Sequence, residues 1–283
     1  MSRTEVIRVE GAAGRVEPSW LAAFAAMALR QLLRFKTAKS RVVNSFLFPL
    51  IWLVFFGLGW SAVFSAKSLG PMGVQAFSRL FGGLTYLQFL APGIIVMTVF
   101  MAGFGSGLGL LWDREFGYFK EILVSPAPRS ALITGRIFGD TLAAMVQGVV
   151  MALLVSAAAG WPSVTGLLGG LLAAFVAALA SSAIGTIIAL SMRSPEGFHI
   201  VINLLMLPML FVSGAFYPID PLPAWLKVFA YINPLYYAVD LTRGLMYGVY
   251  SSPSLIIDVL GLGAVTLAAL AAAIAKFSKT YVA

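Results

Sequence analysis

The sequence predicts an all-α integral membrane protein with six transmembrane helices, an N-terminal interfacial amphipathic helix, and an extracellular re-entrant helical region between the fifth and sixth spans. Of its 283 residues, 60% are hydrophobic and only 11% are charged, whereas a soluble domain usually contains about 25% charged residues. Six apolar stretches approach the roughly 20 residues that a helix needs to cross a bilayer. The excess of apolar side chains therefore has to face lipid.

The six spans are predicted at about 44–64, 89–112, 132–159, 166–192, 198–216 and 255–276, all within a single transmembrane domain of residues 19–283. The third and fourth spans should form a helical hairpin, because Gly160-Trp161-Pro162-Ser163 between them is typical of a tight turn. The fifth is the weakest as a simple span, since Pro208 and Gly214 interrupt it.

The segment ahead of the first span is of another kind. Residues 1–18 are polar and of mixed charge, with no visible cleavable signal peptide, and are interpreted as a flexible cytoplasmic tail. In the following segment, Ser19 can cap a helix whose later turns place Arg30, Arg34 and Lys36 among apolar residues. We expect this helix to lie in the membrane interface with its basic side toward anionic headgroups, rather than to form a short extra span.

The distribution of basic residues predicts the orientation, because cytoplasmic loops are enriched in Lys and Arg. With a cytoplasmic N-terminus, fifteen of the 19 basic residues lie inside. The four on the outside are Lys67, Arg79, Lys227 and Arg243. Both termini are therefore predicted to be cytoplasmic, in a multi-pass protein of the cell (inner) membrane. The same placement explains the net charge of +8 by topology and argues against a nucleic-acid partner.

Catalytic chemistry is not expected in this chain. It contains no cysteine and one histidine, His199, so thiolate and multi-histidine metal sites are excluded within one copy. A membrane-embedded enzyme would need a nucleophile–base set or a metal cluster. We predict neither catalytic residues nor a metal site.

Several polar and small residues within the spans are candidate functional positions. Arg136 and Asp140 are four residues apart in the third span and can pair on one helix face, with Gln147 two turns along the same stripe. These residues could line a pathway or form a self-satisfied pair near the cytoplasmic end, and the second interpretation is favoured. Two overlapping Gly-x-x-x-Gly patterns in the second span indicate close helix packing. They are formed by Gly103, Gly105, Gly107 and Gly109.

A charged segment from Trp112 to Arg129 connects the second and third spans. Its aromatic residues have charges on both sides, and Pro126 and Pro128 end any helix that it forms. From composition alone, docking against a soluble partner and a solvated loop are about equally favoured.

Two motifs give the chain a resemblance to the type-two family of ABC-transporter permeases, the membrane subunits of drug, lipo-oligosaccharide and polysaccharide exporters. The first motif begins with an acidic, a basic and an acidic residue, continues with a glycine and with Glu-aliphatic-Leu, and ends with a small residue, a proline and a basic residue. In this chain it is Asp113-Arg114-Glu115, Gly117, Glu121-Ile122-Leu123, Ser125-Pro126 and Arg129. The second motif joins the fifth span to the outer region and is present as Leu210 to Leu226, followed by Asn233 to Asp240 and Arg243-Gly244.

This resemblance implies a permease subunit of an ATP-driven exporter that forms its pathway as a homo- or heterodimer. None of the chain's lysines follows a glycine, so the P-loop motif is absent. The resemblance implies a separate P-loop ATPase subunit, in two copies, which would carry the ATP and Mg that this chain does not bind. Contact with it is predicted at Glu115, Phe116, Tyr118, Phe119, Lys120 and Glu121. The alternative is an ion-driven secondary transporter, for which Asp140 is the best candidate coupling carboxylate.

The outer region is expected to enter the outer leaflet halfway without crossing it. Prolines crowd the outer end of the fifth span, and tyrosine and tryptophan side chains, which prefer the membrane–water interface, follow them. The residues are Pro218, Pro221, Pro223, Trp225, Tyr236 and Tyr237. The cargo stays open, because the apolar spans suit an amphiphilic cargo and plain contact with lipid equally well.

Overall fold

The protein is described by a computed structural model, which covers residues 18–37, 49–63, 78–251 and 255–279 and the single positions 47, 70, 73 and 75. Most of these residues are helical, and no strand occurs among them. The helices, numbered in chain order, are α1 Trp20–Thr37, α2 Pro49–Gly59, α3 Tyr86–Glu115, α4 Tyr118–Val124, α5 Arg129–Ala159, α6 Val164–Ser191, α7 Pro195–Phe211, α8 Ala224–Ile232, α9 Pro234–Tyr247 and α10 Leu255–Ser278. Most of the predicted tail, 1–17, lies outside the described residues.

Helix α1 is the predicted amphipathic segment. Its capping residue is Ser19, whose Oγ accepts a hydrogen bond from the Ala22 amide at 3.2 Å. The helix packs along α5 at two glycines of α5, Gly135 and Gly139, where an added Cβ would collide with main-chain atoms of α1. This close backbone approach holds one face of α1 against the bundle. Its location in the membrane interface stays a prediction.

Four helices, α3, α5, α6 and α10, are long and apolar enough to cross a membrane. They correspond to the second, third, fourth and sixth predicted spans, with ends that differ by a few residues. Helix α3 forms the centre of the fold, since every residue from Phe89 to Phe100 is buried. It packs on both α5 and α6, so the core is built around this helix.

The glycines of α3 fall on two sides. Gly103 and Gly107 face α6, where an added Cβ would run into Ser181 and into the main chain of Gly185. A Cβ added at Gly105 would meet nothing within 4 Å. Only one of the two overlapping Gly-x-x-x-Gly patterns, Gly103 to Gly107, therefore mediates close helix packing.

The first and fifth predicted spans correspond to shorter apolar helices, α2 and α7. Helix α2 has a π-helical part, Leu53–Gly59, and continues as a short helix, Trp60–Val63; residues 44–46, 48 and 64 of the predicted span lie outside the described ranges. Helix α7 ends at Phe211 rather than near residue 216, because the chain turns at Gly214, whose φ of +72° leaves the helical region. The described residues thus show four spans of full length.

The predicted hairpin between the third and fourth spans is confirmed. Helix α5 ends at Ala159, and α6 begins at Val164. Gly160 has a φ of +97°, and the Ser163 hydroxyl caps α6 by accepting a hydrogen bond from the Gly166 amide at 3.0 Å.

Two short helices, α8 and α9, connect α7 to α10. Asn233 stands between them and accepts a hydrogen bond from the Leu235 amide at 3.0 Å through Oδ1. Its Nδ2 donates to the Met209 carbonyl at 2.6 Å, which ties the junction to the end of α7. At 1.5 Å per residue, α8 is about 13 Å long and α9 about 21 Å, so neither matches the roughly 30 Å of a hydrocarbon core.

Candidate functional site

A buried carboxylate, that of Asp113, holds three helices together near the end of α3. Arg136 on α5 donates to its Oδ2 at 2.6 Å. Arg34 on α1 donates to Oδ1 and Oδ2 at 2.9 and 3.0 Å, and Arg30 donates to Oδ1 at 3.2 Å. We call these four residues the arginine cluster.

The spacing of the two arginines on α1 explains why both reach the same carboxylate. Arg30 and Arg34 are four residues apart on α1 and therefore share one face. A carboxylate as buried as that of Asp113 is stable only with charged or hydrogen-bonding partners. The basic side of α1 thus turns toward the bundle, which differs from the expected orientation toward headgroups, although Arg30 and Arg34 stay 32% and 35% exposed. Burial lowers the pKa of Arg34, and the Asp113 carboxylate opposes that shift.

The pair predicted in the third span is present in a looser form. Arg136 Nε lies 3.8 Å from Asp140 Oδ2, so the close bond of Arg136 goes to Asp113 on another helix. Its Nε and Nη2 have no hydrogen-bond partner among the described residues. Arg136 is itself buried. The result is a guanidinium group with unused donors inside the fold.

A cavity of about 780 Å³ adjoins the cluster and is lined by residues of α1, α2, α3, α5 and α7. Its polar lining residues are Gln31, Arg34, Thr98, Ser106, Asp140, Gln147, His199 and Asn203. Two of the three residues predicted as a possible pathway, Asp140 and Gln147, therefore face one partly open cavity. Most of the remaining lining is apolar and includes Trp52, Met206 and Leu210.

The cavity has a polar end and an apolar end. Phe198, next to His199, packs beside Gly107 on α3, so the start of α7 lies at the same level as Gly109 and the arginine cluster. Leu210 is eleven residues further along α7, about 16 Å away. Trp52 stacks near this second end, with its ring 4.6 Å from that of Phe216.

Three buried polar atoms of the cavity lining have no hydrogen-bond partner within the part of the chain that the structure describes. They are Gln31 Nε2, Asp140 Oδ2 and Gln147 Oε1. Buried polar atoms without a partner are costly. A cavity lined by such atoms can hold water or the polar groups of a bound molecule.

The segment after α3 forms the short helix α4, which Gly117 initiates with a φ of +81°. Five of the six residues predicted to contact an ATPase are exposed: Glu115, Phe116, Tyr118, Lys120 and Glu121. Phe116 and Tyr118 are aromatic and yet 68% and 52% exposed. Phe119, by contrast, is buried, and its ring stands edge-on to that of Phe277 at 6.0 Å. The structure thus separates a surface of five residues from one anchoring side chain.

Arg114 links α4 to the bundle. Its guanidinium group lies over the Phe119 ring at 4.9 Å and donates from Nη1 to the carbonyl oxygens of Met192 at 3.2 Å and Ala189 at 3.5 Å. These carbonyls belong to the end of α6, which lacks intrahelical partners for its last carbonyls. Arg114 therefore caps α6 and fixes α4 at once.

A second buried arginine, Arg243 on α9, organises the opposite region. It donates to the Phe89 carbonyl at 3.3 Å and to the Gly214 carbonyl at 2.6 Å, and its guanidinium group lies 3.8 Å from the centre of the Phe89 ring. Its Nη1 is 3.7 Å from Asp240 Oδ1. Arg243 is an interior residue, although the sequence analysis counted it among the outer basic residues.

The residues predicted for the re-entrant region lie around α8 and α9. Trp225 is exposed on α8, Tyr236 is buried, and the Tyr237 hydroxyl donates to the Tyr231 carbonyl at 2.6 Å. Pro223 precedes α8. Pro218 and Pro221 lie in the turns between Phe211 and α8.

Sequence reasoning missed the most connected residues. The sequence places Asp113 in a motif but predicts no contact between it and Arg30 or Arg34, and it predicts no contact of Arg114 with the bundle. Arg30 and Arg34 are spaced to share one helix face, which predicts an acidic partner for them. The sequence does not identify which acidic residue that is. In the described ranges no group of three or more metal-ligating side chains occurs.

Comparison with known proteins gives a consistent result. Residues 22–247 match the family described as ABC-2 type transporter. A protein named transport permease ycf38, from Cyanophora paradoxa, is 29% identical over 216 residues, which is 76% of this chain and 70% of that protein.

Two bacterial proteins show similar levels of identity. The daunorubicin resistance ABC transporter permease protein DrrB1 of Streptomyces coeruleorubidus is 26% identical over 77% of this chain and 73% of its own length. Nodulation protein J of Rhizobium leguminosarum bv. trifolii is 27% identical over 75% of this chain and 76% of its own length.

Proposed function

The chain belongs to the ABC-2 type transporter family, and from that premise we propose that it is the membrane-spanning permease subunit of an ATP-driven exporter. It would form the translocation pathway as a dimer, with a second copy or a related chain. A separate P-loop ATPase, in two copies, would bind ATP and Mg and supply the energy. The protein would be a transport subunit and not an enzyme.

The exposed surface of α4 carries this proposal. Phe116 and Tyr118 present large aromatic surfaces outside the bundle, and Lys120 and Glu121 add charges beside them. Buried Phe119 and Arg114 fix the helix to the bundle. An aromatic surface on a rigid support, with a polar rim, is what a protein partner binds.

The topology would follow from six spans. Helices α3, α5, α6 and α10 have sufficient length, and α2 and α7 would complete the set, the first together with neighbouring residues. Both termini would then be cytoplasmic, as would α4 and the arginine cluster. Helices α8 and α9 would enter the membrane from the outer side without crossing the bilayer, since each is shorter than the roughly 30 Å hydrocarbon core.

The cavity would be the part of the pathway that this subunit contributes. It reaches from the proposed cytoplasmic end, at Arg34 and His199, to Trp52 and Leu210. Its lining of apolar residues with a few polar ones is typical of a ligand site. One similar protein is named a daunorubicin resistance permease, which supports export of a small organic molecule.

The test uses the ATPase encoded next to this chain, or a candidate ATPase expressed with it. The variant Phe116→Ala/Tyr118→Ala should abolish copurification of the ATPase while the permease still purifies as a monodisperse species. The matched control is Trp161→Ala, since Trp161 is also an aromatic residue with an exposed side chain but lies in the α5–α6 turn. Copurification should survive that change.

The contrary results are equally clear. Undiminished copurification of the double variant would refute α4 as the ATPase contact. Transport into vesicles that requires an ion gradient and no ATP would refute the exporter and favour the ion-driven alternative.

A further inference from the structure

The polar end of the cavity carries a surplus of positive charge. Three arginines meet beside it, against two carboxylates: Asp113, which accepts from all three, and Asp140, which lies 3.8 Å from Arg136. One positive charge is therefore left without a partner charge among these five groups. Of the three arginines, Arg34 is the one that lines the cavity, so an anion in the cavity would pair with Arg34.

Hydrogen-bond donors are available at the same place. Arg136 has two unused donors, Nε and Nη2, and Gln31 has a third in Nε2. An added Cβ at Gly109 would lie 3.2 Å from Arg136 Nη2 and 3.9 Å from Arg34 Nη1. Arg34, Gln31 and Gly109 line the cavity, whereas Arg136 lies buried behind Gly109 and outside the lining.

The rest of the cavity suits a hydrocarbon chain. Met101, Ala102, Met206, Leu210 and Trp52 line it beyond the charged end, together with the polar residues Thr98 and Gln147. The distance of about 16 Å along α7, from His199 to Leu210, matches an alkyl chain of about a dozen carbons. A cavity with a cationic side chain at one end and mostly apolar walls beyond it suits a molecule with an anionic head and an apolar tail.

We propose that this cavity binds an amphiphile whose head carries a phosphate-like anionic group, with the head at Arg34 and Gln31 and the apolar part toward Trp52. The proposal rests on the proposed function, because it names the class of cargo for the pathway described above. Guanidinium groups favour phosphate through paired, charge-assisted hydrogen bonds.

The structure offers a matched pair of variants. Arg30 and Arg34 both bind Asp113 from α1 and are exposed to a similar degree, but only Arg34 lines the cavity. Arg30→Gln and Arg34→Gln remove the same charge and the same type of bond to Asp113. A difference between them reports on the cavity and not on the stability of α1.

The experiment measures binding to the full chain in nanodiscs of phosphatidylcholine. The probe is 11-bromoundecyl phosphate, whose bromine quenches a nearby tryptophan, and the Trp52→Phe variant identifies the part of the signal that comes from the cavity. Two further probes carry the same bromoundecyl tail with a trimethylammonium or a hydroxyl head, and they measure the contribution of the head's charge. Inorganic phosphate as a competitor measures the contribution of the tail.

The phosphate probe should quench Trp52 and bind roughly tenfold more tightly than the trimethylammonium probe, the size expected for one charge-assisted contact. Arg34→Gln should weaken it about tenfold, Arg30→Gln less than about twofold, and Arg34→Lys less than Arg34→Gln. Inorganic phosphate should compete poorly, because it lacks the tail.

Three results would overturn the proposal: equal or tighter binding of the trimethylammonium probe, equal losses in Arg30→Gln and Arg34→Gln, or competition by inorganic phosphate as strong as by the alkyl phosphate. The last would indicate a site for a free anion. The assay needs no ATPase, so loss of ATPase copurification would leave its result unchanged, and absence of binding would leave the exporter assignment unchanged.

Discussion

Arg114 Nη1 lies 3.2 Å from the carbonyl oxygen of Met192, and this contact joins the end of α3 to the junction between α6 and α7. The same guanidinium group covers the Phe119 ring of α4. Helix α7, which begins three residues after Met192, lines the cavity through His199, Asn203 and Met206. A displacement of α4 by a bound partner would therefore reach the cavity through one side chain.

Replacement of Arg114 by Gln is expected to separate partner binding from transport. The exposed aromatic residues of α4 remain, so the proposed ATPase should still copurify. Loss of the hydrogen bonds to the end of α6 should lower transport at least about tenfold, on the scale of one charged hydrogen bond. Copurification and vesicle transport, measured on the same preparation, check this.

The control is Arg193→Gln, one residue beyond Met192. Arg193 is exposed, so the variant removes an equal charge near the same junction. Transport should be close to that of the unmodified chain. Equal transport in the two variants would show that Arg114 does not couple α4 to the bundle.

The sequence predicted the helices well because hydropathy, glycine and proline are local signals. The hairpin turn at Gly160 and Ser163 and the helix starting after Ser19 illustrate this. The early end of α7 was missed, because Pro208 is tolerated inside the helix and the turn comes at Gly214. The length of a span depends on where tertiary contacts let the backbone leave the helix.

The charged contacts were far less predictable. The sequence suggested a pair between Arg136 and Asp140 from their spacing, whereas the close partner of Arg136 is Asp113, 23 residues away. Arg243 reaches Phe89, 154 residues away. Such partners are chosen by packing between helices, and a single sequence contains no local signal for them.

Asp113→Asn is expected to destabilise the fold strongly. Three guanidinium groups would lose their shared carboxylate, and Arg136 is buried. Removal of one partner of a buried ion pair typically costs about 3–5 kcal/mol. Thermal unfolding in detergent should show a clear decrease in the midpoint.

The matched control is Glu115→Gln, two residues along and exposed, which should leave the midpoint nearly unchanged. If Asp113→Asn unfolds at the same temperature as Glu115→Gln, the cluster does not hold α1 against the bundle.

The two sides of α3 can be distinguished by single methyl groups. Gly107→Ala places a Cβ against the Gly185 main chain, whereas Gly105→Ala meets nothing within 4 Å. The first should cost about 1–3 kcal/mol through overpacking, and the second should be neutral or slightly stabilising because alanine favours helix. Unfolding midpoints of both variants test this, and a larger loss in Gly105→Ala would contradict the packing of α3 on α6.

Arg243 should act as the connection between α3, the turn after α7, and α9. Arg243→Gln removes the donors to the Phe89 and Gly214 carbonyls and leaves two buried carbonyl groups with weaker partners, at a cost of about 3 kcal/mol. The turn at Gly214 should then open more often.

Because the chain has no cysteine, Ser213→Cys can report on this opening, since Ser213 is buried and the substitution is small. The introduced thiol should react slowly with a maleimide in the parent chain and several-fold faster when combined with Arg243→Gln. Arg79→Gln, which alters an exposed arginine, should leave the labelling rate unchanged, so equal rates in all three backgrounds would show that Arg243 does not hold this turn closed.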